Sequence, residues 1–271
     1  MSFDTHGFFS PEIDRFRATV RSLPECKIWF EFAEDLNRLG LEMLSGHETP
    51  LDDRQRFPIS VLFIRAHQSF QAAVILAERG MIGDARTLLR GAVEGAIASN
   101  ALAADPKFVE QLIAAHRKHQ LTIARVMLET PDYRATCSSE DVAKMEATVV
   151  SIEALRGQPD KEPKNINWAD VAEKHCKDLY HTLYRLLSAD GVHTTVYALD
   201  RHIEVDATTR ITSLKTGPDI AGLVDTLRAA CLTFLWAAEP FSRAFERPAI
   251  TAKIQEQLQR FDRLPRDEPN G

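Results

Sequence analysis

The sequence has few of the features that mark secreted or membrane-spanning chains. Only four of its 271 residues are cysteines, and no two of them form a Cys-x-x-Cys pair. They stand far apart, at Cys26, Cys137, Cys176 and Cys231. No continuous apolar run approaches the roughly 20 residues that a helix needs to cross a bilayer. Because a signal-peptide pattern is missing too, we predict a soluble, cytoplasmic protein with reduced thiols and no membrane partner.

Motifs for several common reactions are also missing. The sequence contains no GxxxxGK[ST] phosphate loop, GxGxxG turn, GxSxG nucleophile elbow or HExxH zinc pair. Glu-x-x-His, which di-metal helical bundles use, does not occur either. His116 and His119 share a helix face, but no carboxylate at a suitable spacing accompanies them. We therefore predict no metal site and no cofactor, and the net charge of −6 argues against a general nucleic-acid-binding surface.

Helical periodicity dominates what is present. Apolar residues recur at spacings of three and four, while alternating β-branched runs are scarce. We predict an all-α fold, a single multi-helix bundle built around an αα-hairpin over about 57–104 and a long apolar helix over about 218–245. Gly80 should end the first hairpin helix, and the short link after it makes the two helices antiparallel. Short alternation predicts a small irregular or β excursion near 203–213.

No repeat and no clear linker divides the chain. We predict an N-terminal helical segment (1–56) packed on the core, a helical core domain (57–247), and a C-terminal helix with a disordered tail (248–271). The apolar helix near 218–245 is also compatible with a homodimer.

A pair of charged residues interrupts the second hairpin helix. Arg90 and Glu94 are four residues apart, so they share one helix face among apolar neighbours. Ionisable groups in such surroundings are typical of functional sites, although a surface salt bridge has the same spacing. Arg65 interrupts the first hairpin helix in a similar way. Because the helices are antiparallel neighbours, we expect Arg65 to approach the later part of the second helix.

A second group of polar residues lies further along the chain. Tyr180, Tyr184 and Ser188 recur every four residues and fall on one helical stripe. Gly191 is expected to end that helix, so that His193 folds back toward the stripe. Histidine titrates near neutral pH and is suited to moving a proton. Two core tyrosines and a histidine that caps the helix end would produce the same pattern.

Taken together, these stretches resemble a bacterial family known as domain of unknown function 5677. The resemblance covers roughly residues 55–245 and has three parts in order. The first is the helix with Arg65 and Gly80, and the second is "ARTLLRGAVEGAI" with Arg90 and Glu94. The third is a series formed here by Trp168, Tyr180, Tyr184, Ser188 and His193. The resemblance implies an α-helical domain and supplies no reaction.

The same family is also similar to the HEPN helical ribonucleases of toxin and phage-defence systems. Those proteins carry an arginine, four to six residues, and then a histidine. The pair stabilises the cyclising phosphate and moves the proton of the 2′-hydroxyl. Here seven residues separate Arg185 from His193, and Leu186 follows the arginine.

Two functions are consistent with these residues. The first is a non-catalytic module whose polar Arg/Glu/Tyr/His cluster binds a small molecule or a partner, or fixes the core. Its candidate binding residues are Arg65, Tyr180, Tyr184, Arg185 and Ser188. The second is a metal-independent, HEPN-like ribonuclease toxin or defence effector that acts on RNA. In that case His193 serves as acid or base, and Arg90 or Arg185 stabilises the charge. Tyr184 and Ser188 orient the reacting groups, and Glu94 is a further candidate catalytic residue.

Overall fold

The protein is all-α in the computed structural model, which describes residues 2–158, 161–189, 196–206 and 210–265. The helices are α1 (Phe3–His6), α2 (Ile13–Ser22), α3 (Pro24–Leu44), α4 (Arg56–Ala77), α5 (Ile82–Ala104), α6 (Phe108–Glu129), α7 (Pro131–Thr136), α8 (Ser139–Glu153), α9 (Trp168–His175), α10 (Lys177–Leu179), α11 (Arg185–Leu187), α12 (Val196–Asp200), α13 (Leu223–Ala244) and α14 (Pro248–Arg263). A 3₁₀ turn covers Gly7–Phe9, and a π-helical segment covers Tyr180–Tyr184.

The core lies between α3, α4, α5 and α13, which pack against one another. Aromatic rings join α4 to α13: the centroids of Phe63 and Phe241 are 4.6 Å apart, and those of Phe70 and Phe234 are 5.1 Å apart. The alanines of α5 are buried between these helices and allow close backbone contact. The predicted bundle around a hairpin and a long apolar helix is therefore confirmed.

The hairpin link depends on one glycine. Gly80 has φ of 75°, in the left-handed region that glycine adopts without steric cost. The amide of Met81 donates to the carbonyl of Leu76, which closes the end of α4 as the sequence predicts. A Cβ at Gly80 would lie 2.7 Å from the backbone nitrogen of Asp219. The link therefore also serves as a docking point for the loop before α13.

Two helix boundaries differ from the sequence prediction. The long apolar helix begins at Leu223 rather than near 218, because Gly222 takes a left-handed φ of 72° and starts the helix there. The helical stretch that begins after Asn167 is not continuous. It breaks at Cys176, whose φ of −163° and ψ of 55° are not helical. The helix then resumes and runs from α10 through the π-helical segment into α11.

The predicted β excursion is a small hairpin. Strands β1 (Ile203–Val205) and β2 (Ile211–Leu214) pair antiparallel, with a register irregularity between Glu204 and Val205. Exposed side chains dominate both strands, so the hairpin contributes little to the core.

The outer helices surround the core on different sides. α2 packs on α3, α14 packs on α13, and α6 packs on α8. The Ser138 hydroxyl caps α8 by accepting from the amide of Asp141, and the Asn167 side chain caps α9 in the same way. The predicted disordered end of the tail, from residue 266 onward, lies outside the described residues.

Among the described helices, α4 alone is long and apolar enough to cross a membrane. Its most apolar window is 39% buried inside the protein. A core helix meets the same criterion of length and composition, so the finding is weak evidence for a membrane span.

Candidate functional site

The candidate site forms where α5 meets the helix that runs from α10 to α11. Within that helix, the amide of Arg185 donates to the carbonyl of Tyr180, five residues earlier, which makes the segment π-helical. Such single π turns are rare and frequent at functional sites. The rings of Tyr180 and Tyr184 stack with centroids 4.9 Å apart and an interplanar angle of 17°. The segment thus presents a tyrosine pair to α5.

Arg90 of α5 is the centre of the contacts. Its Nε donates to Oγ of Ser188 at 3.2 Å, and its Nη2 donates to the hydroxyl of Tyr184 at 2.9 Å. Nη2 also lies 3.2 Å from Oε1 of Glu94, one helical turn away. The Tyr184 hydroxyl donates to that same oxygen at 2.9 Å. We call Arg90, Glu94, Tyr180, Tyr184 and Ser188 the polar cluster.

The polar cluster is partly shielded from water. The side chains of Arg90 and Glu94 are each 25% exposed. Burial raises the pKa of the Tyr184 phenol, and the Glu94 carboxylate raises it further, while Arg90 acts in the opposite direction. Tyr184 therefore keeps its proton at neutral pH and acts as the hydrogen-bond donor to Glu94.

One nitrogen of Arg90 and one oxygen of Glu94 are not used by other described side chains. Nη1 of Arg90 and Oε2 of Glu94 have no hydrogen-bond partner in the described part of the chain. Neither is among the buried polar atoms that lack a partner. A donor and an acceptor of the same ion pair therefore have no partner among the described residues.

Arg86 lies one turn before Arg90 and performs a different role. It is 5% exposed, and it donates to Oγ1 of Thr226 at 2.8 Å and to the carbonyl of Gly222 at 3.1 Å. A Cβ at Gly222 would lie 2.5 Å from Nη2 of Arg86, so this glycine makes room for the guanidinium. The contacts tie α5 to the start of α13 and hold the helix that carries Arg90.

The structure does not bring every predicted site residue to the cluster. Arg65 is exposed on α4, and Arg185 is exposed after the π-helical segment. Neither makes a side-chain hydrogen bond or ion pair within residues 2–158, 161–189, 196–206 and 210–265. Gly191 and His193 lie outside the described residues.

A partly buried polar network around His67 was not anticipated from the sequence. Nε2 of His67 lies 2.9 Å from Oδ1 of Asn37, and that oxygen also accepts from Nε2 of Gln71 at 2.8 Å. His67 is 3% exposed, and burial lowers its pKa. A Cβ at Gly40 would lie 2.8 Å from Nε2 of His67, so a larger residue at this position of α3 would collide with the imidazole ring. One feature of the sequence could have predicted this network: two polar residues, His67 and Gln71, stand four apart in an otherwise apolar helix.

No cluster of three or more histidine, cysteine, aspartate or glutamate side chains suitable for a metal ion occurs among the described residues. Two described cavities lie away from the polar cluster. One of about 530 Å³ is lined by Lys107, Glu110, Gln111, Lys161 and Lys164. Another of about 630 Å³ lies where α13 passes into α14.

Comparison with known proteins gives one match. No curated protein matches the chain. No solved structure matches it either. A family model described as "Family of unknown function (DUF5677)" matches residues 56–210, more than half of the chain. The matched stretch contains the α4–α5 hairpin and the whole polar cluster, so the chain belongs to this family of unknown function.

Proposed function

We propose that this protein is a binding module whose polar cluster recognises a neutral polar group of a small ligand. The observation that carries the proposal is that Nη1 of Arg90 and Oε2 of Glu94 have no partner among the described residues, although hydrogen bonds and an ion pair hold the other polar atoms of these two side chains. Binding sites commonly combine a few oriented polar groups with an apolar surround.

The charges of the cluster favour a neutral ligand. Arg90 and Glu94 have opposite charges and lie in contact, so their fields largely cancel beyond a few ångströms. A phosphate or carboxylate would gain little from Arg90 while Glu94 stays beside it. A carboxamide, a urea or the edge of a nucleobase carries a donor next to an acceptor, which matches Nη1 of Arg90 and Oε2 of Glu94.

The neighbouring contacts hold this pair in place before a ligand arrives. Ser188 and Tyr184 both accept from Arg90, and the guanidinium carbon lies 5.2 Å from the centre of the Tyr184 ring. A side chain that is already ordered loses less entropy on binding. The stacked ring of Tyr180 supplies the adjacent apolar surface.

Ligand-observed NMR tests the proposal with a panel of carboxamides, ureas and nucleobases, together with acetate and inorganic phosphate. We expect neutral donor–acceptor compounds to bind the wild type, and Arg90→Met or Glu94→Met to weaken them about tenfold, the loss of one charge-assisted hydrogen bond. The matched control is Arg243→Met. It removes another helical Arg–Glu pair, in which Nη1 of Arg243 lies 3.4 Å from Oε1 of Glu239. Binding that survives Arg90→Met, or a panel without a single binder, refutes the proposal.

A second candidate is a HEPN-like, metal-independent ribonuclease that uses His193 as acid or base. One observation favours it: Ser188 belongs to the polar cluster and precedes His193 by only five residues. A chain of five residues spans at most about 17 Å, a length compatible with a histidine side chain at the cluster. Arg90 would then stabilise the phosphate, and Glu94 would have to move or be protonated.

RNA cleavage in EDTA, with growth inhibition on expression, tests this second candidate. We expect wild type to cleave single-stranded RNA. His193→Ala should lower the cleavage rate at least about a hundredfold, the usual contribution of a general acid or base. The control is His202→Ala, which replaces an exposed histidine a few residues later in the chain. Equal cleavage by all three proteins, or by none, excludes the ribonuclease.

A further inference from the structure

A cavity of about 530 Å³ beside the first turn of α6 is lined mainly by lysines. Lys107 lies at the start of α6, and Lys161 and Lys164 lie in the segment that precedes α9. None of the three forms an ion pair with any residue that the structure describes. Three ammonium groups therefore share one cavity, and no described carboxylate is paired with any of them.

The lysines without an ion pair are concentrated at this place. The chain has ten lysines, all in the described part, and four of them pair with a glutamate: Lys27, Lys144, Lys177 and Lys253. The other six form no ion pair with described residues, and three of these six line the cavity. The cavity thus gathers half of the unpaired lysines, contributed by two separate segments of the chain.

One carboxylate, that of Glu110, also lines the cavity, and it is already paired. Nη2 of Arg54 donates to Oε1 of Glu110 at 2.6 Å. The lining residues alone carry a formal charge of +2, three ammonium groups against one carboxylate, in a chain whose net charge is −6. A sphere of this volume is about 10 Å across, close to the Debye length at physiological salt, so the positive charges act together on an anion inside it.

The two walls of the cavity are tied to each other. Nη1 of Arg117, further along α6, donates to the carbonyl of Lys161 at 3.3 Å. The first amides of α6 are engaged locally. The amide of Lys107 donates to Oδ1 of Asp105 at 2.9 Å, and the amide of Phe108 donates to the carbonyl of Asp105 at 3.0 Å. Recognition of an anion therefore falls to the side chains rather than to the end of the helix.

We propose that this cavity binds the phosphate group of a small molecule, such as a phosphate monoester or a pyrophosphate. A phosphate monoester carries a charge of about −1.5 to −2 at neutral pH, which balances the formal charge of the lining residues. Lysine is a common phosphate ligand, and the side-chain amide of Gln111 supplies a further donor. The volume lies within the range of about 300–1,000 Å³ for ligand pockets. The site is separate from the polar cluster and does not rest on the ligand proposed there.

Two other anions fit the cavity less well. A carboxylate brings a single negative charge, and its planar edge suits the fork of an arginine better than an ammonium group. A nucleic acid needs a basic surface that follows several successive phosphates. Here Asp105 and Glu162 flank the lysines in the sequence, and the net charge of −6 repels a polyanion outside the cavity.

Isothermal titration calorimetry of the full chain at low salt tests the proposal with sodium pyrophosphate and glycerol 3-phosphate. We expect both compounds to bind the wild type. Lys107→Gln, Lys161→Gln or Lys164→Gln should weaken each of them about tenfold, the loss of one charge-assisted hydrogen bond. Glu110→Gln should act in the opposite direction and strengthen binding about fivefold, because it removes the negative charge from the lining. Added sodium chloride should weaken the binding, since salt screens exposed charges.

Lys215→Gln is the matched control, because Lys215 is also exposed and has no ion pair in the described chain. Melting curves verify that every variant folds. A wild type that binds neither phosphate compound overturns the proposal, and so does binding that the cavity variants weaken no more than Lys215→Gln. Binding of a single-stranded RNA through the same lysines, without binding of pyrophosphate or glycerol 3-phosphate, would assign the cavity to nucleic acid and overturn the proposal equally.

Discussion

The hydroxyl of Tyr184 donates a 2.9 Å hydrogen bond to Oε1 of Glu94, a residue 90 positions earlier in the chain. The same hydroxyl accepts a hydrogen bond from Arg90. One oxygen atom thus links the π-helical segment to α5 through two charged side chains. Because the phenol keeps its proton, both hydrogen bonds persist across the neutral pH range.

Removal of that oxygen should be measurable. Tyr184→Phe leaves the ring stack and the Arg90–Glu94 pair in place, but it deletes both hydrogen bonds. We expect the free energy of unfolding to fall by about 1–2 kcal/mol, the range for hydrogen bonds to charged groups at a partly exposed site. Urea titration measures the change. Tyr133→Phe is the control, because Tyr133 is 52% exposed and its hydroxyl has no hydrogen bond among the described residues. Equal losses for the two variants would contradict the assigned contacts.

The hairpin link offers a matched pair of glycine substitutions. Gly80→Ala should lower the free energy of unfolding by about 3 kcal/mol, because it combines a left-handed φ with overlap against the backbone of Asp219. Gly46 also has a positive φ, of 62°, but nothing lies within 4 Å of an added Cβ. Gly46→Ala should therefore lower the free energy of unfolding by only about 1 kcal/mol. Thermal or urea unfolding compares them, and a Gly80→Ala variant no worse than Gly46→Ala would refute the close contact.

His67 should make the protein less stable in mild acid. Burial lowers its pKa in the folded chain, whereas the unfolded chain titrates near 6.5. As the pH falls below about 6.5, the unfolded state binds the proton first, so the free energy of unfolding decreases. The contribution is complete above that pH and is lost on the way down to the folded pKa. Urea titrations between pH 7.5 and 5 should show a shallower decline for His67→Gln than for wild type.

The other histidines do not obscure this comparison. Burial also lowers the pKa of His47 and His175, with the same sign for stability. Both remain in the wild type and in His67→Gln, so the difference between the two pH slopes reports His67. Parallel slopes would show that the ring is not desolvated as the structure has it.

The cysteines should differ sharply in reactivity. Burial raises the pKa of the Cys176 thiol to about 11, and burial also raises the pKa of Cys231. Cys26 is buried as well, while Cys137 is partly exposed. Since the thiolate is the reactive form, iodoacetamide at pH 8 should modify Cys137 first and leave the other three. Mass spectrometry of the peptides reads the result, and a sample in guanidinium, in which all four react, provides the reference.

Local sequence signals predicted much of the fold. The hairpin, the Gly80 stop, the β excursion and the long apolar helix all follow from periodicity and from the special conformations of glycine. The pairing of Arg90 with Glu94 follows from a spacing of four on one helix. Such features depend on residues within a few positions of each other, and the helix geometry is the same in every chain.

Contacts between distant segments were harder to predict. The sequence suggested that Tyr184 and Ser188 share a stripe, and only the packing of that stripe on α5 brings Arg90 to both. Arg65 looked similar to Arg90 in the sequence, yet it is exposed on α4. The direction in which each charge points depends on how the whole helix is rotated about its axis, and the apolar core sets that rotation.

The helical fold, the position of the hairpin turn and the sets of side chains that share a helix face all follow from the amino-acid sequence alone. The tertiary structure alone decided which faces meet: Arg90 on Tyr184 and Ser188, His67 on Asn37, and Arg86 on Gly222. The reason is physical. Helix-forming tendency and turns are properties of short segments, whereas the meeting of two faces depends on burying the apolar surface of the entire chain at once.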